Sequence, residues 1–136
     1  MTRYLVLPIA IAAAVFSMNH VQAQEVHTHC VVPFAFHVAE KTLPAGDYLT
    51  VEHNGYKAIQ NRATGQTSIA SVGSPFLSGT PGARMVFNKY GETYFLEEIW
   101  TDGQAGSRVP VSKEEQNLRR ESETLAKNTV TIIARR

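Results

Sequence analysis

A single cysteine, Cys30, among 136 residues rules out an internal disulfide. Packing and hydrogen bonds must therefore hold the fold. Charge of one sign is also lacking: 13 basic residues stand against 12 acidic ones, a balance that sets up no long-range field and argues against partners such as nucleic acid or an anionic membrane. Phosphate-cradling glycine patterns are missing, since neither G-x-G-x-x-G nor G-x-x-x-x-G-K-S/T occurs, and no G-x-S-x-G elbow presents a serine nucleophile. Long apolar runs are absent too. The longest, Tyr4 to Phe16, gives way at Ser17, Asn19 and His20, short of the ~20 apolar residues that a membrane-spanning helix takes.

That run is the first thing the chain does contain. Arg3 precedes it and Val21-Gln22-Ala23 follows it with the small-residue pattern a signal peptidase accepts, so residues 1–23 read as a signal peptide cleaved before Gln24. The expectation is a secreted or periplasmic product with no membrane span after cleavage. Residues 24–136 then form one domain, large enough for a single hydrophobic core. Loss of Arg3 with the leader leaves basic and acidic residues equal in number. In an oxidising compartment the lone Cys30 thiol is expected to be buried as a small apolar group, the alternative being a covalent link between two chains.

Along the domain, turn residues divide the sequence into short strands. Cys30 to Val38 alternates, with Val32, Phe34, Phe36 and Val38 on one parity and Pro33, Ala35 and His37 on the other. This predicts a strand with one buried face which, because Pro33 lacks a ladder donor, either sits at an edge or opens with the proline. Leu43-Pro44-Ala45-Gly46-Asp47 predicts a sharp turn in which Gly46 takes a positive φ. Asp47 to His53, Asn54-Gly55 and Tyr56 to Asn61 form a hairpin signal, Ala63-Thr64-Gly65 a further turn, and Gln66 to Val72 a third strand. The segment 73–82 and the segment 102–107 have no periodicity and are expected to be loops. Between them, Arg84 to Tyr90 and Thr93 to Thr101 predict a hairpin whose apolar residues fall on both parities, so that it either lies centrally or twists enough to bury parts of both faces. Ser112-Lys113-Glu114-Glu115 has the form of a capping box and predicts a helix near 112–126, with Leu118, Leu125 and Ala126 as its apolar stripe. Thr129 to Ala134 is a last strand. The fold class is therefore all-β and mainly antiparallel, a small sandwich or barrel with one helix near the C-terminus.

Three segments, Val32-Pro33-Phe34-Ala35-Phe36, Leu43-Pro44-Ala45-Gly46-Asp47-Tyr48 and Gly91-Glu92-Thr93-Tyr94-Phe95-Leu96 with Glu98 and Trp100, together resemble small secreted proteins of acidobacterial type. These open with a V-P-F-x-F strand and an L-P-A-G-x-Y turn. The resemblance runs from about Val31 to the Ser112 helix start. It implies export and carries no assigned activity.

The metal-capable side chains cluster at His27, His29 and Cys30. In an extended segment His27 and His29 project to one side about 7 Å apart, close enough to share Zn²⁺ or Cu²⁺, with His53 as the donor from another strand. Set against this, residues just after a cleavage site form a solvated tail. Cys30 has no local signature of a nucleophile, and Glu97-Glu98 face opposite ways in a strand, so neither thiol nor paired-carboxylate catalysis is indicated. No catalytic residue or cofactor is assigned. The aromatic residues from Tyr90 to Trp100 can either stack on a ligand or fill the core, and Phe76-Leu77 can dock a partner or fold inward. The resulting expectation is an exported, non-enzymatic β-domain that binds or builds part of the cell envelope, its partner an envelope protein, a glycan or a small apolar ligand. The alternative is a periplasmic small-ligand or metal binder using His27, His29 and His53.

Overall fold

The computed structural model describes residues 28–53, 56–72, 76–77, 82–101, 105–121 and 128–135. The expected leader, His27, the Asn54-Gly55 turn and residues 122–126 of the expected helix lie outside them. The elements are β1 (Thr28–Val32), β2 (Phe36–Val38), β3 (Lys41–Leu43), β4 (Gly46–His53), β5 (Tyr56–Asn61), β6 (Thr67–Val72), β7 (Phe76–Leu77), β8 (Arg84–Tyr90), β9 (Thr93–Trp100), β10 (Ala105–Arg108), α1 (Lys113–Glu121) and β11 (Asn128–Ile133). They form two sheets, one ordered β1-β4-β5-β6 and the other β11-β8-β9-β10-β7, with β2 and β3 joined to the second through β9. Apart from the parallel bridge between His37 and Phe95, all pairings are antiparallel. The architecture is a sandwich and not a closed barrel. One edge is drawn together where the Arg135 amide donates to the His29 carbonyl at 2.8 Å, linking the end of the chain to β1.

The V-P-F-x-F segment proves to be a crossing between sheets rather than one strand. β1 ends at Val32 in the first sheet, and β2 begins at Phe36 in the second. Alternation survives the crossing: Cys30, Val32, Phe36 and Val38 are buried, Phe34 is half-buried, and Pro33 and Ala35 are exposed. The proline fixes φ at the step and lacks only a donor that a crossing does not use. Phe36 then packs edge-on against Tyr48 of the first sheet, centroids 5.2 Å apart, and against Phe87 of the second at 5.3 Å. Phe34 stacks on Tyr94 at 3.7 Å and meets Phe87 edge-on at 5.1 Å.

The L-P-A-G-x-Y segment is a turn closed by its own tyrosine. The Tyr48 hydroxyl donates back to the Pro44 carbonyl and accepts from Asn61 Nδ2 at 3.3 Å, the arrangement of a tyrosine corner. Gly46 does not take the expected positive φ; it is the first residue of β4, and the left-handed glycine of this region is Gly65, at φ 72°. Asn61 Oδ1 organises that second turn by accepting from the amides of Ala63 and Thr64 at 2.9 and 3.2 Å. A further reversal, missing any glycine signal, joins β2 to β3 with Ala39 at φ 50°.

β8 and β9 are central in the second sheet, as the aromatic hairpin predicts. Their two-sided burial has a local cause: Val86 pairs with Glu98 and Phe87 with Leu96, so Glu97 is an extra residue that shifts the alternation. Leu96 and Ile99 consequently both join the inner core, although their parities differ. The two segments read as loops hold β7 and β10, of two and four residues, too short to show a period.

α1 begins as the capping box predicts, with Ser112 Oγ accepting the Glu115 amide at 3.1 Å. The reciprocal half differs. Glu115, the buried residue of the helix, turns its carboxylate to the sheet, accepting Asn88 Nδ2 at 3.0 Å and the Tyr90 hydroxyl at 3.2 Å. Leu118 of the expected stripe is only half-buried, and Leu125 and Ala126 are not among the described residues.

Phe36→Ala should cost about 3 to 5 kcal/mol and Phe34→Ala less, because only Phe36 is fully buried and touches both sheets. Urea melts of the two variants check this; equal losses would show that Phe36 does not join the layers.

Candidate functional site

Of the three expected metal ligands, His29 and His53 are among the described residues. His27 lies outside the described residues. His29 pairs with Leu49 in β4, four residues from His53 and so about 13 Å along the strand. The register thus leaves the backbones of these two residues well apart. His29 Nε2 meets Asp47 Oδ1 instead, and Arg62 holds Asp47 Oδ2 at 3.2 Å. Among the described residues, no group of three or more His, Cys, Asp or Glu is arranged to hold a metal ion.

Cys30 lies in the core with no exposed surface. Burial, helped by the negative charge of Asp47, pushes its thiol from the ordinary 9.0 up to about 11 against a backbone hydrogen bond at Met85. A thiol shielded and held neutral in this way is neither a nucleophile nor a route to a covalent dimer. Glu98 accepts the Trp100 indole N–H at 2.9 Å and lies 3.8 Å from Arg108, so this carboxylate anchors neighbouring side chains. Burial, together with the charge and hydrogen bond of Glu115, raises Tyr90 to about 12.

What the structure does assemble is a row across the outer face of the second sheet. Phe76 pairs with Gly106, Gly106 with Trp100, Trp100 with Arg84, and Arg84 with Ile133, so one line crosses β7, β10, β9, β8 and β11. Gly106 makes the line possible. A Cβ there would stand 2.7 Å from the Trp100 ring, and the bare glycine lets the indole lie across β10 to meet Phe76 edge-on at 4.9 Å. Guanidinium groups cover both rings, Arg84 at 4.2 Å from the Trp100 centroid and Arg108 at 4.9 Å from that of Phe76. Trp100 itself is buried, so its ring is a base for the row and not a stacking surface. The row reaches solvent through Arg108, the half-buried Phe76 and the 67% exposed Ile133; beside Phe76, Leu77 is 80% exposed on the edge strand.

Phe76 and Leu77 were legible as a possible docking tip, and Trp100 as an aromatic with two uses. Arg84, Gly106, Arg108 and Ile133 carried no signal, because only the register of five strands brings them into one line. Among the described residues, no helix is long and apolar enough to cross a membrane. The chain matches no protein-family model, no curated protein and no solved structure.

Two measurements check this geometry. Gly106→Ala should destabilise the protein by about 1 to 3 kcal/mol through overpacking against the indole, seen as a lower Tm and altered Trp100 fluorescence; an unchanged melt would remove the close approach. For Cys30, a folded pKa above the unfolded value contributes stability that is complete below pH 9 and is lost as pH rises through about 11. Between those limits the wild type should lose about 2 to 3 kcal/mol more than Cys30→Ala, as read by urea melts at several pH values. Tyr90 titrates in both proteins and cancels in the difference.

Proposed function

We propose that this chain is an exported, non-enzymatic β-domain that works by binding in the cell envelope or its surroundings. The observation carrying the proposal is the row from Phe76 to Ile133. It combines apolar contact with guanidinium groups on a rigid sheet and leaves exposed apolar side chains at its ends, the composition of a recognition surface. The leader-like N-terminus supports export. The engagement of Glu98, Glu115 and Cys30 in internal structure supports recognition over catalysis. The partner is an envelope protein or glycan that lays apolar groups against Phe76 and Ile133 across the guanidinium-covered rings, with Leu77 at the adjoining edge.

Sedimentation of the purified protein with isolated envelope fractions tests the proposal, comparing wild type with Ile133→Asp and with the double variant Phe76→Ala/Leu77→Asp. Binding weakened about tenfold or more in both, with each variant shown to be folded, is the expected result, because a few anchoring side chains carry most of the energy of an interface. Full retention in both variants, or no binding of the wild type to any fraction, overturns it.

A further inference from the structure

The inner face of the first sheet changes character along its strands. Cys30, Tyr48 and Asn61 form one cross-strand row; Thr28, Thr50, Ile59 and Ser68 form the next; Glu52 pairs with Lys57 beyond them. Where the first row meets Phe36 and Phe87, large rings fill the space between the sheets. At the Lys57 end the buried side chains include the small residues Thr50, Ser68, Ala70 and Thr101.

The polar groups at this end are incompletely matched. Thr50 and Ser68 are 0% and 2% exposed, and neither hydroxyl has a hydrogen-bond partner. Lys57 is 4% exposed, yet its ammonium, which carries three donors, gives one long bond to Thr101 Oγ1 at 3.3 Å and lies 3.8 Å from a Glu52 carboxylate that is itself 46% exposed. Burial draws the Lys57 pKa down while Glu52 opposes the shift. Buried hydroxyls without partners cost free energy, and so does a buried ammonium whose hydrogen bonds are incompletely met. By register, Thr50 and Ser68 flank Ile59 on the face that Lys57 shares, Thr50 as a diagonal neighbour of Lys57 ~7 to 8 Å away and Ser68 across the bulge that follows Lys57.

We propose that the space between the sheets at Lys57 is a binding site for a small carboxylate, with Lys57 as its counter-charge and the Thr50, Ser68 and Thr101 hydroxyls as donors. Glu52 is then the internal stand-in: it reaches Lys57 from the rim, and the ligand's carboxylate takes its place at the ammonium. The site is separate from the outer row, so failure of either proposal leaves the other standing.

The test is calorimetric and thermal titration of the purified protein with acetate at fixed ionic strength, with acetamide and inorganic phosphate as comparison probes. Acetate should give a saturable rise in Tm that acetamide does not. Glu52→Gln, lacking the competing carboxylate, should bind acetate about tenfold tighter, a change of about 1.4 kcal/mol. Lys57→Met, which replaces the buried charge with an apolar chain of similar length, should abolish the response. Should Lys57→Met fail to fold, Glu52→Gln and Thr50→Val/Ser68→Ala decide the matter, the first by gain and the second by loss. The proposal is overturned if acetate binds neither the wild type nor Glu52→Gln, if its effect persists undiminished in Lys57→Met, or if phosphate alone is bound.

Discussion

The contact on which the rest of this structure depends is the meeting of Phe36 with Tyr48 on one side and Phe87 on the other. Two sheets without a disulfide between them depend for their register on what interdigitates across the gap. Phe36 is supplied at the point where the chain itself passes from one sheet to the other. A fully buried phenylalanine is worth roughly 1.5 to 3 kcal/mol in transfer alone, and edge-on ring contacts add to that. Tyr48 is in turn fixed by its bond to the Pro44 carbonyl and by Asn61, whose side chain also shapes the turn from β5 to β6. The first sheet therefore presents a positioned ring, not merely an apolar patch.

A second constraint acts on the opposite face, and it is polar. Glu115 brings α1 onto the sheet through Asn88 and Tyr90, with the helix entrance steadied by Lys113 N–H donating to Glu40 at 3.2 Å and by Ser112. Burying a carboxylate costs several kcal/mol unless it is well bonded, so the attachment depends on both partners being in place. The helix has little apolar surface of its own to bury. Its docking is specific because the hydrogen bonds are directional, whereas a stripe of leucines would tolerate several seatings.

How far the sequence foretold this depends on whether the signal was local. The inward parity of Val32, Phe34, Phe36 and Val38, the central aromatic hairpin, the buried thiol and the Ser112 cap all arise within a few residues and were legible. The division of the first strand into β1 and β2 was not, because alternation continues across Pro33 while the hydrogen-bonding partner changes. Gly46 carried a turn signal without taking a positive φ, whereas Gly65, in a turn the sequence did show, and Ala39, in one it did not, take it. The Glu97 bulge appeared in the sequence only as its effect, apolar residues on both parities. β7 and β10 had no period to display. Their pairing decides where Phe76 and Gly106 lie, so the row they complete was beyond any local reading, as were the Lys57, Thr50 and Ser68 neighbours on the inner face.

The two faces of this protein show how one lattice of strands sorts polar groups by the room available to them. On the outer face, Gly106 removes a side chain, and the space it frees is filled by the Trp100 indole, with guanidinium groups over the rings. The gap is closed from within the chain, and the result is a firm surface. On the inner face, Thr50, Ser68 and Ala70 likewise occupy little volume, the Thr50 and Ser68 hydroxyls have no hydrogen-bond partner, and Lys57 brings a charge whose nearest carboxylate among the described residues stands at 3.8 Å. Packing alone favours removing such groups, since apolar replacements of similar shape are often neutral or stabilising. A lysine with two unpartnered hydroxyls close by in register is therefore better accounted for by a ligand that uses them than by the needs of the fold.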